Sequence, residues 1–286
     1  MKSLCIKTNN PKTIEYLLEN LKSFDFDNIY FSHRNFKIYD NIIIHFKGKN
    51  EKAFLQKISK LLASLIVDVY EQDIMEKIIF GEYFYFNSLE REKISEDTLN
   101  DLYDDEECLY PHDKAFNILC NDFYEYLKEN KSIVLKGFVT FRIRNYIEVL
   151  LNQIDKSVNK YIIEREYTEF ISLLKMYIST EASHYDTVHL IYNNSKPILL
   201  DENKNTIITD TNLFNAKYLS DISFSSNDYA LNSLLTLNPK KIYIHLIDNK
   251  IDEFINTIRL VFENRCILCS DCVICNLYKN KSKASF

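Results

Sequence analysis

The stretch that decides the fold is residues 241–269, KIYIHLIDNKIDEFINTIRLVFENRCILC. Its first part, Ile242 to Ile247, has the apolar density of a buried strand. Asp252 to Glu263 then carries Ile251, Phe254, Ile255, Ile258 and Phe262 at helical spacing, and Cys266 to Leu268 returns as a short strand. Strand, helix and strand in about thirty residues is a βαβ unit, which predicts two parallel strands. Upstream, Thr187 to Tyr192 reads as a strand, Asn193-Asn194-Ser195-Lys196-Pro197 as a turn, and Ile198 to Thr209 as a returning meander. A helix over Asp228 to Leu237 stops at Asn238-Pro239, because proline disfavours helical backbone in the residue before it.

The other end of the chain alternates in the same way. Ser3 to Lys7 reads as a strand, and Asn10-Pro11 opens a helix whose face is Ile14, Leu17, Leu18 and Leu21. Two strands follow, Asn28 to Ser32 and Phe36 to Phe46, joined through Arg34-Asn35. A long helix from Glu51 to Ile79 carries Phe54, Ile58, Leu61, Leu62, Leu65, Ile66 and Val69, and its register shifts near Gln72 before Ile74 and Ile78. Between the two ends the pattern is helical. The acidic run Glu96 to Glu107 suggests a surface loop interrupted at Tyr110-Pro111. Asp113 to Glu129 is a helix with Phe116, Leu119, Cys120, Phe123 and Leu127 on one face.

Phe138 to Ile178 carries two stripes. Ile143, Ile147, Leu150, Ile154, Val158 and Tyr161 form one, and Tyr167, Phe170, Ile171, Leu174 and Ile178 form the other, with a break expected at Glu164 to Glu166. The expectation is an α+β protein in three segments: an N-terminal β-α-β-β-α unit over 1–85, a helical segment over 86–182, and a C-terminal meander plus βαβ unit over 183–286.

Composition narrows the function classes. Of 286 residues, 46% are hydrophobic and 27% charged, a globular balance rather than a disordered one. The three glycines, Gly48, Gly81 and Gly137, stand alone, so no glycine-rich phosphate loop, dinucleotide fingerprint or nucleophile elbow can form. A net charge of −6 without a long basic run disfavours nucleic acid and anionic membranes. The longest strongly apolar run, Leu61 to Val67, is too short to span a bilayer, and Met1 to Lys12 lacks the apolar core of a signal peptide. A cytoplasmic location follows as the expectation, and cysteines there are reduced.

The strongest local pattern is Cys266-Ile-Leu-Cys269-Ser-Asp-Cys272-Val-Ile-Cys275. Four thiols at this spacing suit a metal, zinc or an iron–sulfur cluster; buried reduced thiols and thiol exchange are the other readings. A continuous helix would turn successive cysteines by about 300° and fan them apart, so a shared site needs a tight loop after Leu268. The last spacing has two intervening residues, and no proline follows Cys275, unlike the bacterial ferredoxin pattern.

Other constellations are weaker. His189 and His245 lie in apolar strands, and Asp186 near the first allows an acid–base pair to be drawn, yet no nucleophile completes it. His112 beside Asp113 reads as helix-start polarity. Glu164, Glu166 and Glu169 lack the answering helix of a di-iron site and read as a solvated face with salt bridges to Arg165 and Lys175. Lys131, Lys136, Arg142 and Arg144 do not make one basic patch, because Arg142 and Arg144 would point about 200° apart on a helix. No catalytic residue is assigned, and the leaning is toward a non-enzymatic protein with an unidentified protein partner.

Gly137-Phe138-Val139-Thr140-Phe141-Arg142, Tyr146, and Glu164-Arg165-Glu166-Tyr167-Thr168-Glu169-Phe170 resemble the helical core of the YtxC-like sporulation proteins of endospore-forming bacteria. Ser233-Leu234-Leu235-Thr236-Leu237-Asn238-Pro239-Lys240-Lys241-Ile242 and His245 resemble the same family, and the similarity of layout covers nearly the whole chain. The resemblance implies a setting, sporulation, and no chemistry.

Overall fold

A computed structural model describes residues 2–24, 28–104, 108–109, 112–183, 185–194, 196–207 and 225–283. The chain divides into two compact units, Met1–Ile162 and Ile163–Phe286, each with a four-stranded mixed sheet.

In the first unit, β1 (Lys2–Thr8) buries Leu4, Ile6 and Thr8 in strict alternation. The helix α1 (Pro11–Lys22) starts where Asn10 Oδ1 accepts from the Lys12 N–H at 3.0 Å, with proline in the first turn. Next come β2 (Ile29–Asn35) and β3 (Asp40–Phe46), an antiparallel pair. Their turn is therefore 36–39 rather than the expected Arg34-Asn35. Phe36 and Ile38 are exposed there, so an apolar sequence misled the strand assignment.

The helix α2 (Glu51–Leu65) continues through a π-helical turn, Ile66–Tyr70, into α3 (Glu71–Glu82). The wider π turn inserts a residue into the helical repeat, which accounts for the register shift legible near Gln72. It also turns Glu71 inward: Tyr103 donates to Glu71 Oε1 at 2.7 Å and Tyr146 to Oε2, and the Tyr146 phenol is held far above its ordinary range by burial and by that carboxylate.

The expected loop at 96–107 is corrected. Its first half belongs to α4 (Ser88–Leu102), which opens with a reciprocal cap between Asn87 and Glu90 and buries Ile94, Thr98 and Leu102. The rest of that acidic run, Asp105–Glu107, lies outside the described residues, as does Tyr110-Pro111. The helix α5 (His112–Glu129) buries Ala115, Leu119, Phe123 and Leu127. A strand absent from the sequence reading follows, β4 (Ser132–Val134), parallel to β1 and completing the sheet order β2-β3-β1-β4. The short helix α6 (Leu135–Phe141) then stacks Phe138 on Phe123 at 4.3 Å between ring centres. A single core joins the sheet to these helices, from Leu4 through Val158.

The helix α7 (Arg144–Thr180) is unbroken, which corrects the expected hairpin at Glu164–Glu166. Neither Gly nor Pro interrupts that stretch, and Arg165 pairs with Glu169 one turn on at 3.8 Å. Its first stripe holds as expected, with Leu150, Ile154 and Val158 buried. In the second, Ile171 and Ile178 are buried but Phe170 is 45% exposed, so Phe170 is not an inward residue.

The second unit has the sheet order β6-β5-β7-β8. The strands β5 (Thr187–Asn193) and β6 (Lys196–Leu200) form an antiparallel hairpin, and a bridge from Leu200 to Thr206 extends the return. The expected end of the meander at Thr209 lies outside the described residues. The helix α8 (Ser226–Leu237) begins with a cap shared by Ser225 and Asp228 and ends at Asn238, which is left-handed at φ 43°. Then β7 (Lys241–Leu246), α9 (Glu253–Phe262), a 3₁₀ turn at Glu263–Arg265 and β8 (Cys266–Cys269) complete the βαβ unit, with β7 parallel to both β5 and β8. A final helix not read from the sequence, α10 (Val273–Lys283), follows. One face of the sheet, with Val188, Leu190, Ile242 and Ile244, packs on Leu234, Ile255, Ile258 and Phe262. The opposite face carries a smaller cluster: Ile191, Leu200, Ile247, Ile274 and Cys275.

Candidate metal centre on the smaller face of the C-terminal sheet

Alternation along β7 sends Ile242, Ile244 and Leu246 to the larger core and leaves Tyr243 and His245 on the other face. His245 is buried there. The parallel register sets Cys269, the last residue of β8, beside His245. The chain then turns through Ser270 and Asp271 and enters α10, whose first turn bonds Asn276 N–H to Cys272 O at 2.9 Å. Lys279 reaches back along α10 to donate to Ser270 O at 2.7 Å and holds the turn.

This path converges three cysteines on the histidine. Cys272 Sγ and Cys275 Sγ each lie 3.4 Å from His245 Nδ1. The sulfurs of Cys272 and Cys275 are 3.6 Å apart, and those of Cys269 and Cys275 are 3.8 Å apart. All four ligand atoms fall within 4.8 Å of one another. His245, Cys269, Cys272 and Cys275 thus form a candidate metal site. Sulfurs bound tetrahedrally at about 2.3 Å from one ion stand roughly 3.8 Å apart, which is the spacing seen here.

Electrostatics suits ligation. Burial, and then the neighbouring His189, pulls His245 down to about 4, so its imidazole is neutral at pH 7 with a lone pair to give. Burial opposes ionisation of Cys272 but is outweighed by hydrogen bonds, above all from the Cys275 N–H at 3.5 Å, and its thiol lies below the ordinary value. Burial pushes Cys275 up to about 11. A bound cation would reverse that, and protons would be released on binding.

Cys266 is placed elsewhere. It lies three residues before Cys269 in the same strand, so the two point to opposite faces. Its sulfur donates to Ile258 O at 3.7 Å beside the larger core, and burial raises its thiol to about 11. The structure therefore brings together three of the four cysteines singled out by the sequence and supplies His245 in place of the fourth.

The remaining sequence candidates are dispersed. Asp186 does not pair with His189; it bonds Lys240 at 2.5 Å, while His189 Nδ1 lies 2.9 Å from His245 Nε2. Lys175 pairs with Glu263 rather than with the glutamates of α7. Arg142 lies between α6 and α7 with its guanidinium over the Tyr126 ring, and Arg144 opens α7, so helical rotation does not relate them. His112 begins α5 with its ring 5.0 Å from that of Tyr103. Among the described residues no helix is long and apolar enough to cross a membrane.

The sequence model of the YtxC-like family matches residues 56–267, in agreement with the resemblance read from the helical core and from Ser233 to His245. That span includes His245 and Cys266 but stops before Cys269, Cys272 and Cys275, so the cluster is a property observed in this chain and not one carried by the match. No curated protein and no solved structure matches the chain.

Proposed function

Because the chain belongs to the YtxC-like family, we propose that it is a cytoplasmic, sporulation-associated protein without catalytic activity, and that one zinc ion at His245, Cys269, Cys272 and Cys275 ties its C-terminal helix to the sheet. The observation that carries the metal reading is the mutual spacing of four donors from three separate elements, β7, β8 and α10 together with the turn before it. Three thiolates and one imidazole fill a tetrahedral ion completely, which supports a structural role, since catalytic zinc keeps a position for water or substrate. An iron–sulfur cluster interposes several irons and sulfides between its cysteines and would hold them farther apart than van der Waals contact. The setting in sporulation, and a protein partner through which the chain acts there, rest on the family resemblance.

Two measurements test this reading. Protein purified anaerobically without chelator is expected to be colourless and to contain one zinc per chain; absorbance near 400 nm with bound iron and sulfide would replace zinc by a cluster. Deleting the gene is expected to lower spore yield with vegetative growth near normal, and normal, heat-resistant spores in the deletant would remove the proposed setting.

A further inference from the structure

His189 is a further polar side chain that touches the cluster. It stands on β5, adjacent to β7, and its Nδ1 lies 2.9 Å from His245 Nε2 with the two rings 5.2 Å apart between centres. Its ring also stacks on Tyr243 at 5.3 Å between centres. His245 therefore has its two nitrogens committed in opposite directions, Nδ1 to the sulfurs of Cys272 and Cys275 and Nε2 to His189. Between two neutral imidazoles only one proton can occupy a nitrogen–nitrogen contact. If His245 gives its Nδ1 lone pair to a metal, its proton must sit on Nε2, and His189 must accept it.

We propose that His189 is a positioning residue for the metal centre: through Nδ1 it accepts the His245 Nε2–H, fixing the tautomer and ring orientation in which His245 Nδ1 faces the three thiolates. This rests on the metal reading above and adds to it the identity of the ligating nitrogen and of the group that selects it. Histidines that bind metal are generally oriented by a partner on their second nitrogen, usually a carboxylate or carbonyl, and here the partner is a second imidazole. Rotating the His245 ring would present a carbon to the thiolates and leave the Nδ1 lone pair turned away, so the hydrogen bond bears directly on affinity. The interaction crosses the sheet from β5 to β7 and so couples the metal to the strand that forms the hairpin with β6.

The test uses the full chain, stripped of metal and titrated anaerobically with cobalt(II), then with zinc in competition with a chromophoric chelator. His189→Phe keeps a ring to stack on Tyr243 but offers no acceptor, and it is expected to weaken binding about 10- to 100-fold while the cobalt thiolate charge-transfer band is kept, since the ligands are intact. His189→Asn carries a carbonyl oxygen near the place of Nδ1 and is expected to regain most of the affinity. A role confined to ring packing gives the reverse order, with Phe near wild type and Asn weak, and would overturn the assignment. Equal weakening in both would overturn it too. Circular dichroism checks folding, and His189→Ala serves as the acceptor-free variant should His189→Phe not fold. Wild-type protein that binds no cobalt would sink the metal centre itself, an outcome distinct from tight binding that is indifferent to residue 189.

Discussion

Incubating the reduced chain with a strong chelator is expected to remove the proposed ion from His245, Cys269, Cys272 and Cys275 and to leave α10 to hold itself on the sheet. Its apolar means are small. Among the described residues Ile274 and Cys275 are buried in the smaller cluster, with Tyr278 packed partly against them. Full burial of a side chain such as Ile274 contributes roughly 1.5–3 kcal/mol, whereas ordering each backbone residue costs about 1–2 kcal/mol. An eleven-residue helix is marginal in isolation. A zinc ion present at a thousandfold its dissociation constant adds about 4 kcal/mol to the stability of the docked state. For a unit of this size that corresponds to roughly 10–20 °C in melting temperature.

Calorimetry with and without chelator should show the second unit melting lower by that amount, and limited proteolysis should open new sites beyond Arg265 while α5 and α7 stay protected. Cys275→Ser is expected to abolish the response to chelator, and Cys266→Ser to retain it in full, because the Cys266 sulfur faces the other core. Zinc leaving the protein with no change in melting or cleavage would refute the reasoning.

Leu150→Ala, at a fully buried position, should cost about 2–5 kcal/mol by denaturant midpoint, whereas Phe170→Ala, at a half-exposed one, should change stability by about 0.5 kcal/mol. Asn238→Ala removes donors to Ile178 O at 2.8 Å and Glu181 O at 2.7 Å and places alanine at positive φ; a loss of about 3 kcal/mol is expected from the same midpoints. In metal-free protein near pH 8, iodoacetamide should modify Cys272 well before Cys266 and Cys275, as read by peptide mass spectrometry, because only the thiolate reacts and burial holds both of the latter near 11.

Much of the architecture was legible because period and burial agree. In β1 and β3 the alternating residues are those that the sheet buries, β5 and β7 read as strands from apolar runs that are buried on both faces, and in α2 the stripe from Phe54 to Ile66 is the one in the core. The misreadings have local causes. The acidic residues Glu96, Asp97 and Asp101, of which Glu96 is exposed and Asp101 buried, concealed a helix whose cap, Asn87 to Glu90, was present in the sequence. The strand β4 is three residues long and owes its existence to pairing with β1, a tertiary partner that no local pattern announces. Stripes in α7 that face different cores looked like two helices, though nothing between them breaks a helix. At the cluster, Cys266 was grouped with its neighbours by spacing alone. The strand assigned to it already implied, through the two-residue period, that Cys266 and a continuing Cys269 would face opposite sides. His245 was visible as a polar interruption on an apolar strand, but its companions are set by the β7–β8 register, which a single sequence does not specify.

The coordination of the proposed ion is directly measurable. X-ray absorption at the zinc edge of protein purified without chelator should fit three sulfurs at about 2.3 Å and one nitrogen at about 2.0–2.1 Å, and His245→Ala should lose the nitrogen shell. Four sulfurs, a set dominated by oxygen, or protein that carries no metal would contradict it.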